Sequence, residues 1–206
     1  MTAFDNDLPS LDDFRLGWLP DRENVYLLEG CGCDRVTRED IDRLAAHPEL
    51  DTISVIGLEQ DGFEYFISRY GRQFRRIRFF KNQLVRDWSM LADLPDLEWL
   101  YWYWNQRITS LWDMSKNRSL TALHIAGFTR LHDLSGIEKA ESLRMLFVGD
   151  LIWPSMRVRS LSPLTETGIE CLIWAGKRIE DQDCTFLTQM KRLKHMLRVT
   201  KGRFQP

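Results

Sequence analysis

The chain has 206 residues, of which 44% are hydrophobic and 28% charged, a composition typical of a globular protein and not of a disordered one. The formal net charge of −2 argues against a general nucleic-acid binder, although residues 69–86 carry seven basic side chains and no carboxylate. No run approaches the roughly 18–20 apolar residues needed to span a bilayer. The acidic N-terminal segment does not resemble a signal peptide, and four cysteines are too few for a disulfide scaffold. These features predict a cytoplasmic protein with no membrane partner.

The first elements of the chain indicate a cap, a short strand and two helices. Residues 1–21 place apolar side chains among acids and are predicted to form an N-terminal cap. A degenerate strand is expected near Val25 and Leu27. Thr37 then begins a Thr-x-x-Asp capping pattern, which is typical of a helix start. Residues 63–70 place apolar side chains at helical spacing and predict a second helix.

From residue 50 onward, a six-residue pattern with apolar side chains at positions 1, 4 and 6 returns every 23–26 residues. In a strand, neighbouring side chains face opposite sides, so positions 4 and 6 point inward and positions 3 and 5 point outward. A single coil cannot bury its own apolar face, and stacked coils are therefore expected. The pattern begins at residues 50, 74, 97, 120, 143, 169 and 193.

Asn105 and the apolar positions after it complete a unit that resembles the leucine-rich repeat, in its short internalin-like class, over residues 22–200. The resemblance implies an α/β solenoid with a curved parallel β-sheet on its concave face and short 3-10 or helical return arms. About seven repeats of 23–26 residues are expected. Asn105 is the one clear side chain at the asparagine position of the repeat. Residues 201–206 are predicted to form a C-terminal tail.

The sequence contains no catalytic or metal-binding motif that we could identify. Its four histidines lie far apart, and Cys31 and Cys33 form a close pair without partners at metal spacing. We therefore expect no enzyme activity, no metal and no cofactor. His124 is predicted to project from the concave sheet as a contact residue. An enzymatic alternative would need His124 to lie within hydrogen-bond reach of a carboxylate such as Asp150.

Tryptophans outside the outward positions are predicted to pack internally. Trp102 and Trp174 fall at inward position 6 of their coils. Trp88, Trp112 and Trp153 belong to the segments that return from one strand to the next, where we expect packing and not binding.

The outward positions of the central coils form a graded strip, basic in one coil, aromatic in the next, and small and then apolar beyond. Trp, Tyr and Arg dominate interface hot spots, so the strip predicts a partner-binding surface. The small side chains around Ala122 and Ala126 predict a depression that could seat a partner's loop or helix. A cover from the 149–160 loop, the tail or a second copy is the alternative. The predicted binding residues are Arg76, Arg78, Phe80, Lys81, Trp99, Tyr101, Tyr103, Trp104, His124, Met145 and Phe147.

Repeats without a catalytic motif predict a non-enzymatic module that binds a partner protein through its concave face, as a monomer or homodimer. By analogy with small stand-alone binders, one specific form is a bacterial immunity protein or inhibitor that neutralises a cognate toxin. The alternative is an adaptor or targeting subunit that recruits an enzyme into a complex. Neither nucleic acid nor membrane is expected as a partner.

Overall fold

The computed structural model describes residues 8–19, 25–30, 35–153, 155–200 and 203–205. Nine of its strands form one sheet in the order β1-β2-β3-β4-β5-β6-β8-β10-β11, and β7 and β9 form a small separate pair. The first eight strands of the large sheet run parallel, and β11 pairs antiparallel with β10. The strands are β1 (Tyr26–Leu28), β2 (Thr52–Ile56), β3 (Arg76–Phe80), β4 (Trp99–Asn105), β5 (Ala122–Phe128), β6 (Met145–Gly149), β7 (Arg157–Val158), β8 (Cys171–Ala175), β9 (Arg178–Ile179), β10 (His195–Thr200) and β11 (Arg203–Gln205).

The register of the sheet confirms the repeat frame. Residues at position 4 of successive coils lie opposite one another: Ile53, Ile77, Leu100, Leu123, Leu146, Leu172 and Met196. Strand β1 extends this ladder, but Tyr26 and Leu28 occupy the aligned positions. A strand is therefore present near Val25 and Leu27 as expected, with Leu28 buried and Leu27 exposed.

The return arms are short helices and 3-10 turns, as the resemblance implies. Thr37 and Asp40 form a full capping box, in which the Thr37 hydroxyl oxygen accepts from the Asp40 N–H and the Asp40 carboxylate accepts from the Thr37 N–H. This box begins helix α2, and helix α3 buries an apolar face against the core. The helices are α1 (Leu11–Leu16), α2 (Arg38–Asp42), α3 (Gln60–Tyr70) and α4 (Phe186–Gln189), with 3-10 turns at Arg43–Ala46, Gly71–Gln73, Ser89–Asp93, Ile137–Lys139 and Ser162–Glu166.

Two buried asparagines at the same position of successive coils tie these coils together. The Asn105 amide donates to the carbonyl oxygens of Asn82 and Val85, and its oxygen accepts from the N–H groups of Arg107 and Ile108. Asn82 occupies the same position one coil earlier. Its amide oxygen accepts from a backbone N–H of the preceding coil, and its NH₂ group donates to two backbone carbonyl oxygens. The expectation that Asn105 alone fills this position was therefore wrong.

The interior of the solenoid is rich in aromatic side chains. Trp102 lies 4.4 Å from Phe79 between ring centroids, and the Trp88 ring packs edge-on against it. Trp102, Trp174, Trp88 and Trp112 are all buried in this core, as predicted. The coils therefore stack through large inward side chains, as the frame requires.

Replacing Asn105 by Ala should lower the free energy of unfolding by about 3 kcal/mol. Four hydrogen bonds disappear, each worth about 1 kcal/mol, and the backbone groups that made them stay buried. Urea denaturation followed by far-UV circular dichroism measures the loss. The exposed neighbour provides the control, because Gln106→Ala should change stability by less than about 0.5 kcal/mol. Equal losses in the two variants would contradict the role given to Asn105.

Candidate functional site

Helix α1 lies on the concave side of the sheet, against β4 and β5. Its start is capped by Ser10, whose hydroxyl oxygen accepts from the Asp13 N–H, and it ends at Gly17 in the left-handed conformation (φ 66°). The Phe14 ring meets Tyr101 and His124 edge-on, with centroid separations of 5.9 and 5.8 Å. The Phe14 carbonyl oxygen accepts a 2.7 Å hydrogen bond from His124 Nδ1.

Beneath α1 is a second apolar cluster, separate from the core inside the coils. Phe14 and Leu19 join it from the N-terminal segment. The sheet contributes outward-facing residues from β4, β5, β6 and β8, so these strands are covered on both faces. The sheet members are Trp99, Tyr101, Ala122, Ala126, Met145, Phe147, Cys171, Ile173 and Ala175.

This cover corrects the expected exposure of five predicted binding residues. Trp99, Tyr101, His124, Met145 and Phe147 are each 6% exposed or less. The depression beside β4 does seat a helix, but the helix belongs to the same chain. The described part of the predicted cap, residues 8–19, contributes Phe14 and Leu19 to this cluster on the sheet. Cys31, Cys33 and residues 201–202 and 206 lie outside the described residues.

The basic coil is mostly neutralised by its neighbours. Arg76 pairs with Asp51 and with Glu98, each at 3.3 Å, and its guanidinium lies 5.1 Å from the centre of the Trp99 ring. Arg78 differs. It is half-buried over the Phe80 ring at 5.0 Å, and no carboxylate of the described chain pairs with it. Burial lowers the pKa of its guanidinium.

A cavity of about 390 Å³ opens between the C-terminal end of α1 and the carboxyl ends of β3–β6. On one wall the Phe80 and Tyr103 rings stack, 5.3 Å apart and tilted by 13°. His124 lies deeper, with its ring stacked on Phe147 at 4.0 Å. The lining residues include Arg15, Leu16, Gly17, Arg78, Phe80, Tyr101, Tyr103, His124, Ala126, Phe147, Asp150, Leu151 and Ile152.

The turn after β6 carries two exposed apolar side chains, and one of them, Ile152, lines this cavity. The Asp150 carboxylate accepts hydrogen bonds from the N–H groups of Ile152 and Trp153, which holds the turn in place. Ile152 is 70% exposed and Trp153 is 74% exposed. The expectation that Trp153 packs internally was therefore wrong, since this turn carries it away from the solenoid core.

At the same edge of the sheet, Lys81 and Trp104 adopt left-handed backbone conformations, with φ of 56° and 67°. Gly57 and Gly127 occupy the corresponding position in neighbouring coils. Large side chains in this conformation cost about 1–2 kcal/mol, and such strain is concentrated at functional sites. We define the edge patch as Phe80, Lys81, Tyr103, Trp104, Ile152 and Trp153, whose side chains are half-buried to exposed.

His124 is held as a neutral ring. Its pKa is lowered to about 4, mainly by burial and also by the nearby Arg78 charge, while the hydrogen bond to Phe14 opposes the shift. Because a carbonyl oxygen only accepts, Nδ1 carries the proton. No carboxylate of the described residues contributes to this shift, and Asp150 is engaged by backbone N–H groups. The geometry therefore gives no support to the acid–base pair of the enzymatic alternative.

Neither a metal cluster nor a membrane-spanning helix is found among the described residues. No group of three or more His, Cys, Asp or Glu within them is placed to hold a metal ion. None of the helices in the same ranges has the length and apolarity needed to cross a membrane.

The stacked coils, the parallel strand ladder and the asparagines between coils define a leucine-rich-repeat solenoid. The structure is similar to that of an internalin (InlF) from Listeria monocytogenes str. 4b F2365, with a TM-score of 0.55 and 16% sequence identity. The likeness covers 86% of this chain and 57% of the internalin chain, so this chain spans just over half the length of that protein. The sequence matches no family model, and the comparison with curated proteins also found no match.

Lowering the pH should destabilise the protein through His124. Its pKa is about 4 in the folded chain, against 6.5 for a histidine exposed to water, so the stability that the neutral ring contributes is lost as the pH falls from 6.5 towards 4. The loss should reach about 2–3 kcal/mol between pH 7.5 and pH 4.5. Urea denaturation at both pH values measures it. In His124→Phe this loss of stability between pH 7.5 and pH 4.5 should become smaller, whereas His132→Gln should leave it unchanged. If His124→Phe loses as much stability as wild type between the two pH values, the burial of a neutral histidine is contradicted.

The substitution Phe14→Ala should release α1 from the sheet. A buried Phe→Ala change costs about 3–5 kcal/mol, and here the loss falls on one peripheral helix. The N–H groups of Gly17 and Trp18 donate hydrogen bonds to carbonyl oxygens of α1. Their hydrogen exchange should accelerate by about 100-fold or more. Leu16→Ala removes an exposed side chain of the same helix and should have little effect. Exchange rates that match in the two variants would refute the anchoring role of Phe14.

Proposed function

We propose that this chain is a non-enzymatic protein-binding module that holds its partner at the edge patch and not in an open concave face. The observation that carries the proposal is the exposure of Ile152 and Trp153 in one turn, where Ile152 lines the same cavity as the stacked rings of Phe80 and Tyr103. Large apolar side chains that cluster on a surface are costly in water, and they mark interaction sites. Solenoids of this type also provide extended binding surfaces.

The binding residues predicted from the sequence fall into two groups, one accessible and one buried. Phe80, Lys81, Tyr103 and Trp104 remain accessible and belong to the proposed contact surface. The buried members of the set, which include Trp99 and Tyr101, pack in the apolar cluster with Phe14 and are not part of the contact surface. A variant of these buried residues would disturb packing and would not test binding alone.

The partner's chemistry follows from charge and shape. Lys81 is exposed, and the described residues place no carboxylate against it or against Arg78. An acidic segment that carries an aromatic or aliphatic side chain fits both the cations and the apolar rim. Binding should weaken as salt is added, because exposed charges are screened.

An inhibitor and an adaptor would use the same surface in different ways. An immunity-type inhibitor would suppress the activity of its partner, for example a toxin, whereas an adaptor would leave the partner's activity intact and change its location. We propose a cytoplasmic monomer, since α1 already covers the concave face and the described cysteines, Cys171 and Cys184, are free thiols. Measuring the partner's activity with and without this chain distinguishes the two forms.

Replacing Ile152 and Trp153 together by Ser should weaken binding of the partner by about 100-fold or more, because two exposed anchors are lost. The partner is identified by affinity capture, purified, and titrated calorimetrically against wild type and variant. Leu84→Ser supplies the matched control, since Leu84 is also an exposed aliphatic residue but lies outside the edge patch. The proposal fails if the double variant binds as wild type does, or if Leu84→Ser causes the same loss.

A further inference from the structure

The interior of the cavity contains a cation whose charge the described chain leaves uncompensated. Arg75 pairs with Glu98, and Arg76 with Glu98 and Asp51, so the neighbouring guanidinium groups have carboxylate partners. Arg78 lines the cavity and packs on the Phe80 ring, without a carboxylate from the described residues. A cation that is withdrawn from water without a counter-charge is costly, so an anion in the cavity would be stabilised beside it.

A second polar group in the cavity also lacks a partner. Tyr101 lines the cavity, is 1% exposed, and its hydroxyl oxygen has no hydrogen-bond partner among the described residues. Burial and, to a lesser extent, the nearby Asp13 carboxylate raise the pKa of this phenol, so the hydroxyl keeps its proton and can donate it. Buried polar groups are rarely left unsatisfied, and a ligand oxygen would complete this one.

The remaining walls are suited to a flat apolar body. Phe80 and Tyr103 present stacked rings, and Ala126 leaves space between them and Phe147. Asp150 is the carboxylate in the lining, but one of its oxygens already accepts from two backbone N–H groups. A volume of about 390 Å³ lies within the range of about 300–1,000 Å³ that is typical of small-molecule sites.

We propose that this cavity binds a small organic anion, namely a carboxylate attached to an aromatic ring system. The carboxylate accepts from the Arg78 guanidinium and the Tyr101 hydroxyl, and the ring lies along the Phe80–Tyr103 wall. The site shares Phe80, Tyr103 and Ile152 with the edge patch, but its assay needs no partner protein, so the two proposals can fail independently. Binding involves no covalent step.

Isothermal titration with indole-3-acetate and with its neutral analogue indole-3-acetamide tests the proposal. Wild type should bind the acid at least 10-fold more tightly than the amide, because the amide lacks the charge that Arg78 recognises. In Arg78→Gln the two Kd values should come within about 3-fold of each other. Arg118→Gln removes an exposed arginine outside the cavity lining and should retain the discrimination.

Tyr101→Phe keeps the ring and removes only the unpartnered hydroxyl, so it tests the site without opening a cavity in the packing. It should weaken binding of the acid by about 5–10-fold and leave the fold intact by circular dichroism. The proposal is overturned if neither probe binds wild type at 1 mM, on the order of the weakest affinity expected for a specific site. It is also overturned if acid and amide bind equally, or if both Arg78→Gln and Tyr101→Phe leave the preference for the acid unchanged.

Discussion

The central strands carry apolar side chains on both faces, and both faces must be kept from water. The return arms cover one face, as they do in any solenoid of this class. On the other face α1 docks against β4 and β5, where Phe14 packs edge-on against Tyr101 and its carbonyl oxygen accepts a hydrogen bond from the buried His124. The neutral His124 ring suits this buried position, since it packs against aromatic neighbours and still donates one hydrogen bond.

The docking of α1 determines which part of the sheet remains accessible. With the middle of the concave face filled, the cavity opens at the carboxyl edge, where the chain has a left-handed residue at the end of each of strands β2–β6. Lys81 and Trp104 keep large side chains there at a backbone cost that Gly57 and Gly127 avoid. The turn fixed by Asp150 adds Ile152 and Trp153 on the same side. The edge patch is therefore a product of local backbone geometry and of the cover above the sheet.

The repeat frame was predictable because its period is encoded in every coil. Position 4 residues such as Leu100 and Leu123 pair as expected, and Trp102 packs inside. Asn82 was missed, although its spacing of 23 residues from Asn105 would have located it at the same position one coil earlier.

The cover over the concave face was harder to predict. A strand pattern states that a face is apolar but not which segment covers it. The nearly continuous apolar runs at residues 145–149 and 171–175 were the available signal, since strands buried on both faces read in this way. The exposure of Trp153 depends on side-chain hydrogen bonds within one turn, which residue types alone do not specify. The cavity in turn depends on where α1 ends, and so it could not be placed before the docking of α1 was known.

The contact between His124 and Phe14 spans 110 residues, whereas the coils of the sheet contact neighbours about 23 residues away. Contacts of such different range have different closure entropies, and the distant one is expected to form late. Chains emerge from the ribosome N-terminus first, so α1 is synthesised long before β4 and β5 exist to receive it. During that interval the segment that later shields the sheet must itself remain unshielded. Helix α1 is short and carries two acids, Asp12 and Asp13, which favour its solubility before it docks.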